Sequence, residues 1–351
     1  MRLLRIVFTA LLIMGLLTCK LGNKMENQIS SVSFFYWKSD FSLNKNTKVW
    51  LDSFPVKKLY VRFFDVDFDA QKGPMPIATL KNLPQNLPFR VTPVVFITNE
   101  TFLNIRKEND LQDLADKVAG NLALLAKNQR VSEWLIDCDW SGKTRTYYFK
   151  FLSKLQERAF QNKITLMATI RLDQYKNYKS TGVPPLEKGL LMVYNMGDLS
   201  KWETTNSILN EEDAEMYLNN PVPYPIPLTL GLPFYQWGVV FRDLKLYRLM
   251  NGLDPMELTD TVRFKQMGEN RYEIIKSTFL NGAYLYQGDK IRLEKIDSSA
   301  LLKMINLLKG WKIENENDEI VFFHLNDKIV NNSNQTFFKR FSQKVSVKYI
   351  K

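Results

Sequence analysis

An α/β fold, in the form of a parallel (β/α)8 barrel with a small α+β insertion between strands seven and eight, is what this 351-residue sequence predicts. Three observations lead there. Eight short apolar runs recur along the chain, most of them followed by a stretch of helical periodicity. Each run ends in polar residues, as strands do when both faces are buried and only their C-terminal ends meet solvent. The length also accommodates a single barrel of about 250 residues plus insertions. An open, Rossmann-like sheet is the alternative that the same alternation allows.

The N-terminus carries basic Arg2 and Arg5, then an apolar stretch over 6–17 interrupted by Thr9, which is too short to cross a bilayer. Residues 1–18 therefore read as an export signal. Residues 16–19, Leu-Leu-Thr-Cys, resemble the bacterial lipoprotein signal. That likeness implies a lipidated Cys19 as mature N-terminus and a membrane-anchored place in the bacterial cell envelope, on its periplasmic or cell-surface side. Residues 19–30 are polar and patternless, as a tether is. Cys138 is the only other cysteine, so packing rather than a disulfide must hold the fold.

One barrel domain is expected over 31–351. Its strands are read at 32–37, 58–69, 90–97, 134–140, 164–170, 189–194, 228–234 and 319–325. Helical spacing appears in 110–125, with apolar positions 111, 114, 115, 118, 122 and 125, and again in 147–156 and 298–308. Between 254 and 296 the rhythm changes to hairpin-like alternation around Gly268, Glu269 and Asn270, which marks the insertion. A β-like segment over 345–350 has no assigned place. Hydrophobic residues at 45% and aromatic ones at 13% suit a packed core rather than disorder. The net charge of +11 is spread among acids, without an Arg/Lys stripe interleaved with aromatics, so nucleic acid is not an expected partner and a monomer is.

The fourth strand carries the chemistry. Asp137 and Asp139 sit two residues apart among Leu135, Ile136 and Cys138, so they share a strand face about 6.6 Å apart. Two ionised acids so placed repel unless a cation, a donor or a shared proton intervenes. Capping or pairing with Arg or Lys is the plain structural alternative. In a barrel, ligands bind above the strand C-termini. The residues falling there are Trp37 and Asp40; Asp65, Asp67 and Asp69; Thr98 and Asn99; Trp140; Arg171 and Asp173; Tyr194, Asn195 and Asp198; Tyr235 and Trp237; and His324. Aromatic faces and carboxylates together fit a sugar better than a phosphate, because rings stack on C–H faces while carboxylates hold hydroxyls. Trp37, Trp140, Tyr235 and Trp237, with Trp202, are the candidate stacking rings. Arg171, Asp173 and Asp198 are the candidate polar contacts, and Arg171 would either hold an acidic sugar or neutralise the paired acids. No nucleotide-binding or metalloprotease motif occurs. His324, the only histidine, reads as a core residue, and no metal and no cofactor is expected; the triplet Asp65, Asp67, Asp69 lacks the glycine and closing Glu of a calcium loop.

Three stretches, taken in order, resemble the family 18 glycoside hydrolases, the chitinase-like barrels. Strand four of that family reads Asp-x-x-Asp-x-Asp-x-Glu, and Trp134, Asp137, Asp139 and Ser141 occupy those places here. Met192-Val193-Tyr194-Asn195 is similar to the family's Met-x-Tyr-Asp on strand six, and residues 230–236, Leu-Gly-Leu-Pro-Phe-Tyr-Gln, follow its strand-seven pattern. The resemblance covers about residues 31–325 and implies a TIM barrel, a glycan substrate and an α+β insertion after strand seven.

It also implies roles. In the family the Glu protonates the glycosidic oxygen, the Asp two residues earlier orients the substrate's acetamide, and the strand-six Tyr bonds the acetamide oxygen. Asp139 and Tyr194 keep the supporting positions and Asp137 the inner one. Ser141 replaces the acid, and a serine hydroxyl does not act as a general acid at neutral pH. Three expectations stay open: a glycan-binding barrel without turnover, a hydrolase that recruits Asp137, Asp139 or Asp173 as acid/base, and a non-catalytic structural or interaction lipoprotein.

Overall fold

The computed structural model describes residues 31–52, 56–218, 223–296, 298–308 and 319–327, together with Thr336 and Phe338. Cys19, the tether and the 345–350 segment lie outside the described residues. The chain runs β1 (Ser31–Tyr36), α1 (Lys45–Asp52), β2 (Val56–Asp69), β3 (Gly73–Ile77), β4 (Arg90–Ile97), α2 (Asn99–Asn104), α3 (Glu108–Ala126) and β5 (Glu133–Asp137). It continues with α4 (Arg145–Gln161), β6 (Thr165–Arg171), the short α5 (Leu172–Lys176) and α6 (Tyr178–Thr181), β7 (Lys188–Met192), α7 (Glu211–Leu218) and β8 (Leu228–Pro233).

Strand β1 pairs in parallel with both β2 and β16 (Glu319–Phe323), which closes a ring in the order β1, β2, β4, β5, β6, β7, β8, β16. The fold is thus the eight-stranded parallel barrel that the apolar runs predict. Both faces of these strands are covered: all six residues of β1, all five of β5 and all six of β8 are buried. Helix α3 lays Leu111, Leu114, Ala115, Val118, Leu122 and Ala126 on the barrel, the period read from the sequence with its last member shifted by one residue. Among the described residues no helix is long and apolar enough to cross a membrane.

Inward-facing polar residues close the barrel at the N-terminal ends of the strands. Lys58 pairs with Glu133 at 2.5 Å and Glu319 at 2.9 Å, and Lys188 reaches Glu133 at 2.6 Å. Ser33 and Tyr60 donate to Glu319, and Thr92 donates to Glu133. Two cations and two anions thus satisfy one another where the barrel excludes water. Lys58 and Lys188 overcome the cost of burying Glu133 and hold its carboxyl at about 2.

The long β2 runs past the barrel and folds back on β3 as an antiparallel hairpin. That hairpin accounts for the acidic triplet. Asp65 is gripped by Arg62, Asp67 accepts from Thr98 at 2.7 Å, and Asp69 accepts the Gln71 and Lys72 amides.

After β8 the chain leaves the barrel as β9 (Gln236–Arg242), β10 (Lys245–Asn251), β11 (Phe264–Gly268), β12 (Arg271–Ile274), β13 (Thr278–Leu280), β14 (Ala283–Leu285) and β15 (Lys290–Lys295), and returns through α8 (Ser298–Leu308) to β16. Five of these strands form one antiparallel sheet in the order β10-β9-β15-β12-β11, and β13 and β14 pair separately. The sheet begins at Gln236, earlier than the expected 254. Only Phe234 and Tyr235 separate β8 from β9, so two strands read as one continuous apolar region. Asp243 and Leu244, both with positive φ, make the two-residue turn that starts the sheet.

Candidate functional site at the barrel mouth

The paired acids emerge where the sequence places them, and the neighbouring strand solves their repulsion. In the β5–β6 register Leu135 faces Met167 and Ile136 faces Ala168. The same offset carries Asp137 beside Thr169 and Asp139 beside Arg171. Thr169 Oγ1 donates to Asp137 Oδ1 at 2.7 Å, and Arg171 Nε donates to Asp139 Oδ1 while its Nη2 makes an ion-pair contact with the same oxygen. One acid receives a neutral donor and the other a cation.

Their surroundings differ. Asp137 is buried, and burial pushes its carboxyl up to about 6; the Thr169 bond opposes this and the charge of Asp139 adds to it. Asp139 lies beyond the strand end with its side chain 40% exposed, and that of Arg171 is 41% exposed. Tyr194 is buried next to them; burial, then the charge of Asp137, raises its hydroxyl far above the usual phenol range.

An aromatic floor adjoins the acids. Phe323, at the end of β16, stacks on Tyr194 at 5.4 Å between centroids and 22° between planes. It meets Trp37 edge-on at 5.3 Å and Tyr235 at 5.7 Å. The Tyr235 hydroxyl donates to Asn195 Oδ1 at 2.5 Å. Asp137, Asp139, Arg171, Tyr194, Tyr235 and Trp37 are thus gathered at one mouth.

Five other expected contacts are placed elsewhere. Trp140 is buried against Tyr148, stacked at 5.4 Å, with Phe149 edge-on at 5.8 Å and its Nε1 donating to the Thr181 carbonyl at 3.3 Å. It packs into the helical shell and offers no face to a sugar, since the chain turns outward past Asp139. Asp173 opens α5 and accepts from Asn177 at 2.7 Å. Asp198 closes its own turn, accepting from the amide and hydroxyl of Ser200. Trp237 spends its Nε1 on Glu294 at 2.7 Å and packs edge-on against Tyr235 at 5.3 Å, so it backs the wall of the mouth rather than lining it. Trp202 lies against Phe241 and Arg271 of the insertion sheet.

That sheet is bolted to the loop after β7. Buried Glu294 accepts from Arg292 at 2.6 Å, Ser207 at 2.6 Å and Trp237. Arg292 in turn reaches the carbonyls of Leu199 and Lys201.

Sequence reasoning missed Thr169 and Phe323. The first was legible as a strand position level with Asp137. The second ends an apolar run, next to the more conspicuous His324. Asn99 holds the Asp139 carbonyl and accepts from Thr144 at 2.8 Å. Ser141 receives its turn from the same Thr144, whose Oγ1 accepts the Ser141 amide at 2.9 Å. The His324 ring is held neutral, its imidazole lowered to about 4 chiefly by burial. Among the described residues no group of three or more His, Cys, Asp or Glu is arranged to hold a metal ion.

No family model matches the sequence, and no curated protein matches it. Solved structures do. The spore cortex-lytic enzyme SleL of Bacillus megaterium QM B1551 superposes with a TM-score of 0.54 at 12% identity, over 88% of this chain and 73% of that one. A chitinase from Chromobacterium violaceum ATCC 12472 gives 0.50 at 12% identity, over 89% and 98%. A class V chitinase from Pseudomonas fluorescens Pf-5 gives 0.52 at 11%, over 88% and 98%. What such distant likeness shows is architecture: the chain has the chitinase-like fold, a TIM barrel of eight parallel strands.

Proposed function

We propose that this barrel binds a glycan at the C-terminal ends of its strands and does not hydrolyse it, and that it does so on the envelope membrane, tethered through a lipid on Cys19. The observation that carries this reading is the fate of the acids. Hydrolysis of a glycosidic bond needs a proton donor beside the leaving oxygen. By motif order Ser141 stands in that place, and its backbone amide and hydroxyl are engaged in the turn with Thr144. Asp139, the acid nearest to it in sequence, is neutralised by Arg171. What remains suits binding: the half-buried rings of Trp37 and Phe323 for a sugar face, with Tyr194 and Tyr235 packed against Phe323, and Asp139, Arg171 and Asn195 for its substituents.

A second reading has one observation in its favour. Asp137, at about 6, is partly protonated near neutrality, as a general acid must be. It would then protonate a leaving group directly.

Calorimetric titration of residues 20–351 with β-linked oligosaccharides, beside incubation with reducing-end-labelled ones, separates the two. Saturable binding with no labelled fragment supports the binding barrel. Release of fragments that Asp137→Asn abolishes would establish the hydrolase, and neither signal would rule out a glycan ligand altogether if it were seen alone; the absence of both would. Loss of membrane association in Cys19→Ala, with palmitate labelling of the parent, tests the anchor.

A further inference from the structure

We propose that the glycan taken at this mouth is an acidic one, whose carboxylate is held by Arg171 in exchange for Asp139. The inference rests on the glycan-binding reading above and names the substituent that the site selects.

Among the described residues, Arg62, Lys38 and Arg171 stand at strand ends, and they are not equivalent. Arg62 is fixed: its Nε and Nη2 grip Asp65, its Nη1 donates to the Trp37 carbonyl at 3.2 Å, and both partners are largely buried. Lys38 pairs with Asp327 Oδ2 at 3.5 Å while Oδ1 of the same carboxylate accepts from the Thr47 hydroxyl at 2.6 Å, and an ammonium offers no planar fork to a second carboxylate. Arg171 is different. It meets Asp139 on one oxygen only, with both side chains about two-fifths exposed. Nη1 of Arg171 and Oδ2 of Asp139 make no hydrogen bond to a described residue.

That grip is a poor use of a guanidinium. Its planar fork matches a carboxylate best when two N–H groups meet two oxygens side by side. Here two nitrogens converge on a single oxygen and the Nη1 edge stays open. Ion pairs this exposed contribute little net stability, because water screens both ends. An arriving carboxylate that fills the fork gains a bidentate contact, and Asp139 returns to water without being stranded.

The position also suits a sugar acid. Arg171 is close enough to Tyr194 and Tyr235 to act electrostatically on both hydroxyls. A carboxylate on the guanidinium therefore lays its ring toward the floor those residues share with Phe323. The net charge of +11 favours the approach of an anionic polymer over a neutral one.

The test compares two tetrasaccharides by calorimetry: a hyaluronan fragment, which alternates N-acetylglucosamine with glucuronate, and neutral chitotetraose. The acidic probe is expected to bind about fivefold or more tightly at low salt, with the advantage shrinking at high salt. Arg171→Gln should remove the preference, the acidic probe losing severalfold more affinity than the neutral one. Asp139→Asn should strengthen acidic binding severalfold, because it removes the competitor for Arg171. Equal binding of the two probes by the native chain, or weaker acidic binding in Asp139→Asn, overturns the proposal while leaving the glycan-binding reading intact. Failure of both probes to bind overturns both.

Discussion

Glu133 and Asp137 project from the same face of β5, about 13 Å apart along the strand, and their carboxyl groups sit on opposite sides of the ordinary range. Glu133, between Lys58 and Lys188, is held at about 2, and Asp137, buried with a threonine for partner, is pushed up to about 6. One strand thus carries a structural acid at the closed end of the barrel and a strained one at the mouth.

The strained acid should make the fold more stable in acid than at neutrality. A carboxyl raised in the folded state stabilises it fully below the unfolded value, near 4, and that contribution is lost as pH rises through 6. Asp137→Asn keeps an acceptor for Thr169 and has no charge to bury. It is expected to raise unfolding stability by up to about 3 kcal/mol at pH 8 and by almost nothing at pH 4. Urea titrations at the two pH values check this; an equal gain at both would show that burial of the Asp137 charge is not the cause.

Glu133 predicts the reverse. Its lowered carboxyl contributes stability above about 4.5 that is lost as pH falls through 2. Glu133→Gln leaves Lys58 and Lys188 short of an anion in a water-poor place, which should cost about 3–5 kcal/mol at pH 7. The mouth lies at the other end of the barrel, so glycan affinity of the folded variant should be unchanged by calorimetry.

The barrel was legible because its strands are buried on both faces, so each becomes an apolar run with a polar stop. Asp137, Asp139, Arg171, Tyr194 and Tyr235 are such stops, and the barrel brings them together. Trp140 was misread for a physical reason: past the strand end the alternation of faces lapses, and nothing in the chain says whether a ring there turns to the mouth or to Tyr148. Phe323 was hidden in the opposite way, as the apolar end of a strand whose ring packs among Trp37, Tyr194 and Tyr235 at the mouth. Register between β5 and β6, which gives Thr169 to Asp137 and Arg171 to Asp139, is a matter of tertiary pairing that one strand alone does not encode.

The reassignment of Trp140 has its own consequence. Trp140→Ala should lower stability by about 3–5 kcal/mol, as large aromatic truncations in a packed core do, and leave glycan affinity of the folded protein unchanged. Trp37→Ala should do the opposite: a small stability loss and a clear loss of affinity. Paired thermal melts and titrations decide, and a selective loss of binding in the Trp140 variant would return that ring to the site.

Glu294 is expected to hold the mouth from behind. Removing it in Glu294→Ala strands buried Arg292 and frees the Trp237 and Ser207 donors, so the loop after β7 should lose its bolt to the insertion sheet. Hydrogen exchange should accelerate at least tenfold in the amides of 197–208, which corresponds to about 1.4 kcal/mol of local stability. Exchange confined to the insertion, with the loop still protected, would show that the loop is held by other contacts.

Placing an acid at position 141 tests why turnover should be absent. If the missing proton donor were the whole reason, Ser141→Glu alone would release labelled fragments from a β-linked oligosaccharide. The geometry predicts otherwise, because a neutral sugar brings no carboxylate to displace Asp139 from Arg171, and Asp139 is the residue that resemblance assigns to orienting the substrate's acetamide. Ser141→Glu is therefore expected to stay inactive or nearly so. Ser141→Glu with Arg171→Met, which frees Asp139 to turn toward a bound sugar, should gain measurable hydrolysis. The gain should vanish when Asp139→Asn is added, since a liberated acid that did no orienting would not be missed. Full activity in the single variant would show that the Arg171–Asp139 pair opens without resistance.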